Sequence, residues 1–167
     1  MSVFVLMGVS GAGKSTVGRR VADELALTFI EGDDFHTPAN IRKMAGGIPL
    51  ADDDRVAWIE ALAKGVNARQ PSRDAIVACS ALSERVRDLL RACVPEPLYF
   101  ILLHADPALI QQRLAGRPVH FMKPGMLASQ LAALQLPQDA IVVDVSRPLD
   151  AVCAEVAARI RGIAGSR

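Results

Sequence analysis

A glycine-rich motif near the start of the chain constrains its fold more than any other feature. Residues 8–15 read GVSGAGKS, fit the pattern GxxxxGK[ST], and lie between an apolar run, Val3–Met7, and a helical pattern. In that context the backbone N–H groups of a curled loop face inward, and the following helix adds its positive N-terminal end. Such a loop binds phosphate groups. A glycine-rich turn that binds nothing is the alternative, and the strand-loop-helix context argues against it.

Individual positions of this loop, hereafter the P-loop, have expected roles. Lys14 should bridge the β- and γ-phosphates of ATP, and the Ser15 hydroxyl should ligate Mg²⁺. The other expected nucleotide contacts come from the rest of the loop and the start of its helix: Gly8, Val9, Ser10, Gly11, Ala12, Gly13 and Thr16. The motif therefore predicts ATP and Mg²⁺ as cofactors.

The rest of the chain alternates short apolar runs with longer helical patterns. Beyond Val3–Met7, the runs are residues 29–31, 75–79, 99–103 and 140–144. Apolar residues recur at helical spacing between the runs, for example at Val17, Val21 and Leu25. This alternation is typical of an α/β protein with a mainly parallel sheet, and its length predicts a single domain, 1–167.

Two segments, 34–54 and 116–125, fit this alternation poorly. Both are rich in glycine, proline and charged residues. Loops of this length in a compact domain are usually lids or binding elements. Within the first segment, Thr37 followed by Pro38 is expected to start a helix, as is Asp106 followed by Pro107 later in the chain.

Charge and composition argue against several classes of partner. A net charge of +1 gives no general attraction to nucleic acid or anionic lipid, which favours a small-molecule substrate. The start of the chain lacks a basic leader, and no run approaches the ~20 apolar residues of a membrane span. We therefore expect no membrane contact and a cytoplasmic location. The widely spaced Cys79, Cys93 and Cys153 are expected to be reduced.

A cluster of acidic residues follows the second apolar run, in EGDDFH at 31–36. The carboxyl end of a parallel strand opens toward the ligand crevice, and an alcohol acceptor needs a base near its oxygen. We therefore predict that Asp33 is this base and a further ligand of Mg²⁺. The alternative is a solvated turn in which Asp33 and Asp34 cap the next helix.

Arg55 follows three consecutive aspartates at the start of another helical pattern. A guanidinium in a ligand crevice suits a carboxylate, so Arg55 and His36 are predicted to hold an anionic substrate. The alternatives for Arg55 are an ion pair within its helix, with an acid such as Glu60, or simple exposure to solvent. Asp52 or Asp53 is expected to cap this helix.

The third run ends in small residues that include Ser80, which permits close approach of a substrate but also suits tight packing. No acidic residue ends this run, where many P-loop enzymes keep a second magnesium ligand. The metal is therefore expected to depend on Ser15, phosphate oxygens, water and Asp33.

Basic residues recur near helical spacing across a segment bounded by glycine and proline: Arg113, Arg117, His120 and Lys123. An arginine that closes over the nucleotide neutralises charge on the transferred group, and closure excludes water. We predict a lid in which Arg113 and Arg117 are catalytic and Arg117 also contacts the nucleotide. The alternative is an exposed basic helix.

Together these segments resemble the gluconate kinases of the P-loop type, relatives of shikimate kinase and the nucleoside monophosphate kinases. The likeness runs through almost the whole chain and includes VLMGVSGAGKST at 5–16, EGDDFH at 31–36, GIPLADDDR at 47–55, CSAL at 79–82, RDLLR at 87–91 and VVDVSRP at 142–148. Single matching positions are Asn40, Lys43, Met44, Trp58, Arg113, Arg117, His120, Phe121 and Gln130. Many NTPases share the P-loop, whereas EGDDFH, GIPLADDDR and CSAL together are specific to a small group of proteins.

The resemblance implies a three-layer fold in which helices flank a five-stranded parallel sheet of order 2-3-1-4-5. It implies a substrate-binding helical region near 36–66, a lid near 113–126 and a homodimer. The implied reaction is ATP-dependent phosphorylation of D-gluconate on its 6-hydroxyl, giving 6-phospho-D-gluconate and ADP, in carbohydrate acid catabolism. The predicted substrate-binding residues are Asp33, His36, Arg55, Ser80 and His120.

Two alternatives remain open: another small-molecule P-loop kinase, acting on shikimate or a nucleoside monophosphate, and a non-catalytic module that senses ATP. The sequence also departs from the family pattern, because Ser83 and Val86 stand where the family usually has a basic and an aromatic residue. If that basic residue assists acceptor binding in relatives, its loss is expected to alter affinity or specificity here.

Overall fold

The computed structural model describes residues 1–68, 74–116 and 126–165, and its centre is a parallel sheet of five strands. The strands are β1 (Val3–Met7), β2 (Thr28–Glu31), β3 (Ala75–Ala78), β4 (Leu98–His104) and β5 (Ile141–Asp144). Their order is β2-β3-β1-β4-β5, which confirms the order that the resemblance implied. Each apolar run expected from the sequence forms a strand, and the strand ends differ from the expected ones by one residue at most.

Helices flank this sheet, and local capping explains where several of them begin. They are α1 (Lys14–Leu25), α2 (Pro38–Ala45), α3 (Asp52–Ala68), α4 (Glu84–Cys93), α5 (Pro107–Ala115), α6 (Met126–Ala133) and α7 (Leu149–Ala164), with a short 3₁₀ helix at Gly32–Phe35. The side chains of Thr37 and Asp106 cap α2 and α5, as expected. Asp52 and Asp53 instead lie inside the first turn of α3, where the helix dipole favours negative charge.

The sheet divides the core into two halves, because β1 is buried on both faces. Phe4 and Leu6 join apolar residues of α1 and α7 on one face. Val3, Val5 and Met7 join apolar residues of α3 and α4 on the other. Burial on both faces explains why this strand is an unbroken apolar run. The result is the predicted three-layer arrangement of helices, sheet and helices.

The carboxyl ends of the parallel strands lie along one edge of the sheet and bring four connecting segments together. These are the P-loop after β1, the 3₁₀ helix after β2, the turn 79–83 after β3 and the turn 145–148 after β5. The candidate site is built from these segments.

The cysteines are free thiols, and Cys79 and Cys153 are buried. Burial raises the pKa of the Cys79 thiol to about 12, so this group stays protonated at neutral pH. Within the described residues, none of the helices combines the length and the apolar character needed to cross a membrane.

Candidate active site

The P-loop has the backbone shape that its glycines permit. Gly8 has a φ of 138°, and a Cβ added there would lie 2.7 Å from the carbonyl oxygen of Leu103. Lys14 opens α1 and folds back over the loop, where its Nζ donates to the carbonyl oxygens of Gly8 at 3.0 Å and Val9 at 3.1 Å. The ammonium group therefore lies close to the loop backbone that would hold a phosphate chain.

Two contacts from distant parts of the chain hold the P-loop in place. The Gly8 N–H donates to the carbonyl oxygen of Ser80 at 3.2 Å, which joins the loop to the turn after β3. The Ser10 N–H donates to Oε1 of Gln130 at 2.7 Å, which joins the loop to α6. The P-loop is thus linked to the turn after β3 and to the helix that follows the predicted lid.

The segment after β2 is fixed by a tryptophan and by a close backbone approach. The indole Nε1 of Trp58, in α3, donates to the carbonyl oxygen of Gly32 at 2.7 Å. A Cβ added at Gly32 would lie 2.4 Å from the carbonyl oxygen of Ala78, so only glycine fits between β2 and β3 at this point. Asp33, the next residue, has a side chain that is 76% exposed and accessible to a ligand.

The imidazole of His36 lies beside the Asp33 carboxylate. Its ring is only 7% exposed and stacks on Trp58, with ring centroids 4.2 Å apart and planes inclined by 18°. Its Nε2 lies 3.7 Å from Oδ1 of Asp33. Its Nδ1 is buried and has no hydrogen-bond partner among the described residues. A buried polar nitrogen of this kind is costly unless a ligand satisfies it.

The pKa of the Asp33 carboxyl is lowered, first by its interaction with His36 and further by the positive charge of Lys14, while desolvation opposes the shift. The carboxylate is therefore ionised at neutral pH. The capping alternative does not describe α2, because Thr37 supplies that cap.

Arg55 is part of an ion-pair cluster at the start of α3. Its Nη1 donates to Oδ1 of Asp52 at 3.1 Å, and its side chain is 23% exposed. Arg85, from α4, lies 3.7 Å from Asp52 and 3.4 Å from Asp53. The alternative considered for Arg55, an ion pair within its helix, is present, with Asp52 rather than Glu60 as the acid. This one hydrogen bond uses one of the five N–H donors of a guanidinium.

The turn after β3 depends on a buried arginine. Arg87 is 3% exposed, and its Nη1 donates to the carbonyl oxygens of Ala81 and Leu82, both at 3.0 Å. Ala81 has a φ of 43°, a conformation that costs energy for a residue with a Cβ. The turn is therefore held by the side chain behind it. Ser83, one of the departures from the family pattern, caps α4 by accepting from the Val86 N–H at 3.4 Å.

A cavity of about 300 Å³ adjoins the P-loop on the side of α5 and α7. Its lining residues are Gly11, Ala12, Gly13, Thr16, Val17, Arg113, Val145, Arg147, Leu149 and Val152. Nη2 of Arg113 donates to the carbonyl oxygen of Val145 at 2.6 Å and so ties α5 to the turn after β5. Residues 145–149 were not predicted as site residues, although VVDVSRP in the family pattern was a signal for them.

The structure brings most of the predicted site residues to one edge of the sheet, but not all of them are described. Lys14, Ser15, Asp33, His36 and Ser80 lie on the segments that converge there. Arg117, His120 and Lys123 lie outside the described residues. Two contacts had no assigned role in the sequence, namely the stacking of Trp58 on His36 and the bond from the P-loop to Gln130. Both residues were visible only as matches to the family pattern.

Comparison with known proteins gives consistent results. A family profile described as an AAA domain matches residues 3–137. Thermoresistant gluconokinase of Escherichia coli (strain K12) is 45% identical over 157 residues, which cover 91% of this chain and 89% of that protein. An unliganded sugar kinase structure from Janibacter sp. has a TM-score of 0.86 at 41% identity, over 93% of this chain and 92% of that one. A gluconokinase structure from Sinorhizobium meliloti has a TM-score of 0.80 at 40% identity, over 95% of each chain.

Proposed function

This chain belongs to the gluconokinase family, and on that premise we propose that it transfers the γ-phosphoryl group of ATP to the 6-hydroxyl of D-gluconate. The products are 6-phospho-D-gluconate and ADP. The observation that carries the proposal is the meeting of a P-loop and an ionised carboxylate, Asp33, at one edge of the sheet, close enough for the charge of Lys14 to act on that carboxylate. One group binds the donor and the other faces the acceptor.

On the donor side, backbone N–H groups of the P-loop and the start of α1 hold the phosphates, and Lys14 bridges the β- and γ-phosphates. The cavity beside the loop accommodates the base and ribose, with Arg113 in its wall. A catalytic role for Arg113 and for Arg117 remains a prediction. Arg113 is held to the turn after β5, so it is well placed to support the nucleotide.

On the acceptor side, the 6-hydroxyl oxygen attacks the γ-phosphorus while its proton passes to Asp33. The bond from that phosphorus to the oxygen shared with the β-phosphate breaks, and ADP leaves. Because its pKa is lowered, Asp33 is a weak base. This suits a loose phosphoryl-transfer transition state, in which the attacking alcohol keeps its proton until late.

The rest of the acceptor is assigned to side chains around Asp33. We propose that the imidazole of His36 contacts a substrate hydroxyl on the side of its ring that faces Asp33, where its Nε2 lies 3.7 Å from Oδ1 of that residue. Arg55 receives the substrate carboxylate through the donors that Asp52 does not use. Ser80 and His120 complete the proposed set, the first on the turn after β3 and the second in the proposed lid, 113–126.

The residues present fit Mg²⁺, since the Ser15 hydroxyl and the exposed Asp33 carboxylate are hard oxygen donors beside the phosphate site. Within the described residues no three His, Cys, Asp or Glu side chains gather as a metal site, so phosphate oxygens and water would complete the coordination. The ion supplies positive charge that offsets the charge of the phosphates. We further propose that the chain is one domain over 1–167 with its substrate-binding region near 36–66, and that it acts as a homodimer in the cytoplasm.

The function is tested by coupled ADP release with D-gluconate, sorbitol, shikimate and nucleoside monophosphates as acceptors. We expect D-gluconate to be by far the best acceptor, and ³¹P and ¹³C NMR of the product to place the phosphate on the 6-oxygen. Sorbitol lacks the carboxylate that the remaining donors of Arg55 would receive, so it should be a much poorer acceptor. Equal use of sorbitol, or faster use of shikimate or a nucleoside monophosphate, would overturn the gluconate assignment. ATP binding without any acceptor-dependent ADP release would instead favour the sensing alternative.

A further inference from the structure

Gln130, within α6, and Gln135, two residues after its end, each accept a hydrogen bond from the backbone N–H of a distant segment. Oε1 of Gln130 accepts from Ser10 of the P-loop at 2.7 Å. Oε1 of Gln135 accepts from Glu84 at 2.6 Å, and the Gln135 N–H donates to the carbonyl oxygen of Leu82 at 2.9 Å. Because both partners of the side chains are N–H groups, the bonding atom of each glutamine is its carbonyl oxygen.

Ser10 lies in a part of the P-loop whose backbone has much conformational freedom in the unfolded chain. It lies between Gly8 and Gly11, which both have positive φ values, 138° and 84°. A stretch flanked by such glycines is costly to order, since glycine loses more conformational freedom than any other residue. The Gln130 oxygen removes part of this freedom before any phosphate binds. The two bonded residues are 120 positions apart in sequence.

The helix that carries Gln130 packs against the hydrophobic core. Met126 at its start is buried, and Leu127 and Leu131 pack against the apolar cluster that also contains Val9 of the P-loop. The side chain that bonds Ser10 is therefore anchored to the same core as the loop itself. Movement of the loop away from the helix would break this hydrogen bond.

We propose that Gln130 is a positioning residue for the nucleotide, which holds the first half of the P-loop in the shape that receives the phosphates. It acts through Ser10 rather than by touching the nucleotide. The proposal depends on the proposed function only in that ATP is the donor. It does not depend on which acceptor is used.

The test compares Gln130→Met with the matched control Gln135→Met. Each substitution keeps the side-chain length and removes one carbonyl oxygen that accepts from a backbone N–H. ATP and ADP binding are measured by titration calorimetry with Mg²⁺ and without an acceptor, alongside KM for both substrates, kcat and Tm. Loss of one such hydrogen bond is expected to weaken nucleotide binding of Gln130→Met roughly three- to tenfold. Its KM for ATP should rise by a similar factor, with KM for D-gluconate and kcat at saturating ATP unchanged.

Gln135→Met should keep wild-type nucleotide affinity while lowering Tm by an amount similar to Gln130→Met. Wild-type ATP affinity in a folded Gln130→Met variant, or equal losses in the two variants, would overturn the proposal. If Gln130→Met does not fold, the same measurements are made on Gln130→Asn. This variant keeps the amide, but its side chain is one methylene too short to reach the Ser10 N–H, so the same loss of nucleotide affinity is expected. Failure of the wild type to phosphorylate D-gluconate would leave the binding experiment intact and would count only against the acceptor assignment.

Discussion

The nucleotide side and the acceptor side of the site are built from different kinds of group. The P-loop offers backbone N–H groups, one lysine and one serine hydroxyl, and its shape follows from glycine positions that a short motif specifies. The acceptor side offers side chains that already interact with one another, as Asp33 does with His36 and Arg55 with Asp52. A single substitution on the acceptor side therefore also disturbs the side chain that its residue contacts.

This difference indicates where specificity is adjustable. A loop made of backbone binds the phosphates of any nucleotide in much the same way, so it changes little between kinases that act on different acceptors. A network of side chains can be rebuilt by changing its members. The departures at Ser83 and Val86 lie next to the acceptor side, where Ser83 has become a helix cap.

The largest expected effect is on the nucleotide side. Lys14→Ala should lower turnover on the order of 10³-fold or more, since it removes a point charge that the preorganised loop places at the transferred group. ADP release at saturating substrates measures the loss. Arg20→Ala is the control, because Arg20 lies on the same helix and pairs with Asp150 at the surface. A folded Lys14→Ala variant with full turnover would remove the P-loop from the mechanism.

Asp33→Asn should lower kcat by about 10², the lower end of the range for general-base catalysis, because a carboxylate with a lowered pKa is a weak base. The matched control is Asp34→Asn, an exposed aspartate one residue further on, which should keep wild-type kcat. A loss well below tenfold would limit Asp33 to positioning the hydroxyl. Equal losses in both variants would point to the charge of the segment as a whole.

Arg55→Ala should reduce the preference for D-gluconate over sorbitol by about tenfold, as expected for loss of a hydrogen bond between charged groups. The ratio of kcat/KM for the two acceptors measures this effect, and KM for ATP should not change. Arg85→Ala is the matched control, since Arg85 also contacts Asp52 but is mostly exposed. It removes an ion pair of the cluster without removing the proposed carboxylate-binding group. The assignment fails if Arg85→Ala changes the preference as much as Arg55→Ala does.

The smallest effect concerns pH. A lowered folded-state pKa keeps Asp33 ionised at neutral pH, and the associated interaction is lost only as the pH falls through that lowered value, which lies below 3.8. His36→Asn removes the main cause of the shift, so the pKa of Asp33 should rise toward its ordinary value. Titration of the Asp33 carboxyl carbon by ¹³C NMR measures this pKa in the wild type and in the variant. An unchanged titration in His36→Asn would show that Lys14 alone controls this carboxylate.

The sequence predicted the sheet and the backbone shape of the P-loop, because both follow from local patterns. The central strands β1 and β3 are apolar runs buried on both faces, and the P-loop is defined by the spacing of its glycines and Lys14. The acceptor side was predicted as residue types but not as contacts. Asp52 rather than Glu60 pairs with Arg55, and Trp58 stacks on His36 from another helix. The pair in α3 follows helical spacing, whereas the stacking of Trp58 on His36 depends on how α3 packs against the strand ends, which residue spacing does not encode.

The stacking of His36 on Trp58 also means that the acceptor side can be followed by tryptophan fluorescence. Trp58 is the only tryptophan of the chain, it is buried, and its indole N–H is bonded to Gly32, one residue before Asp33. Its emission therefore reports on this segment alone, without interference from the P-loop. A sugar acid that bonds His36 would change the quenching of the indole by the imidazole. The intrinsic fluorescence of the unlabelled protein would then follow acceptor binding in the absence of ATP.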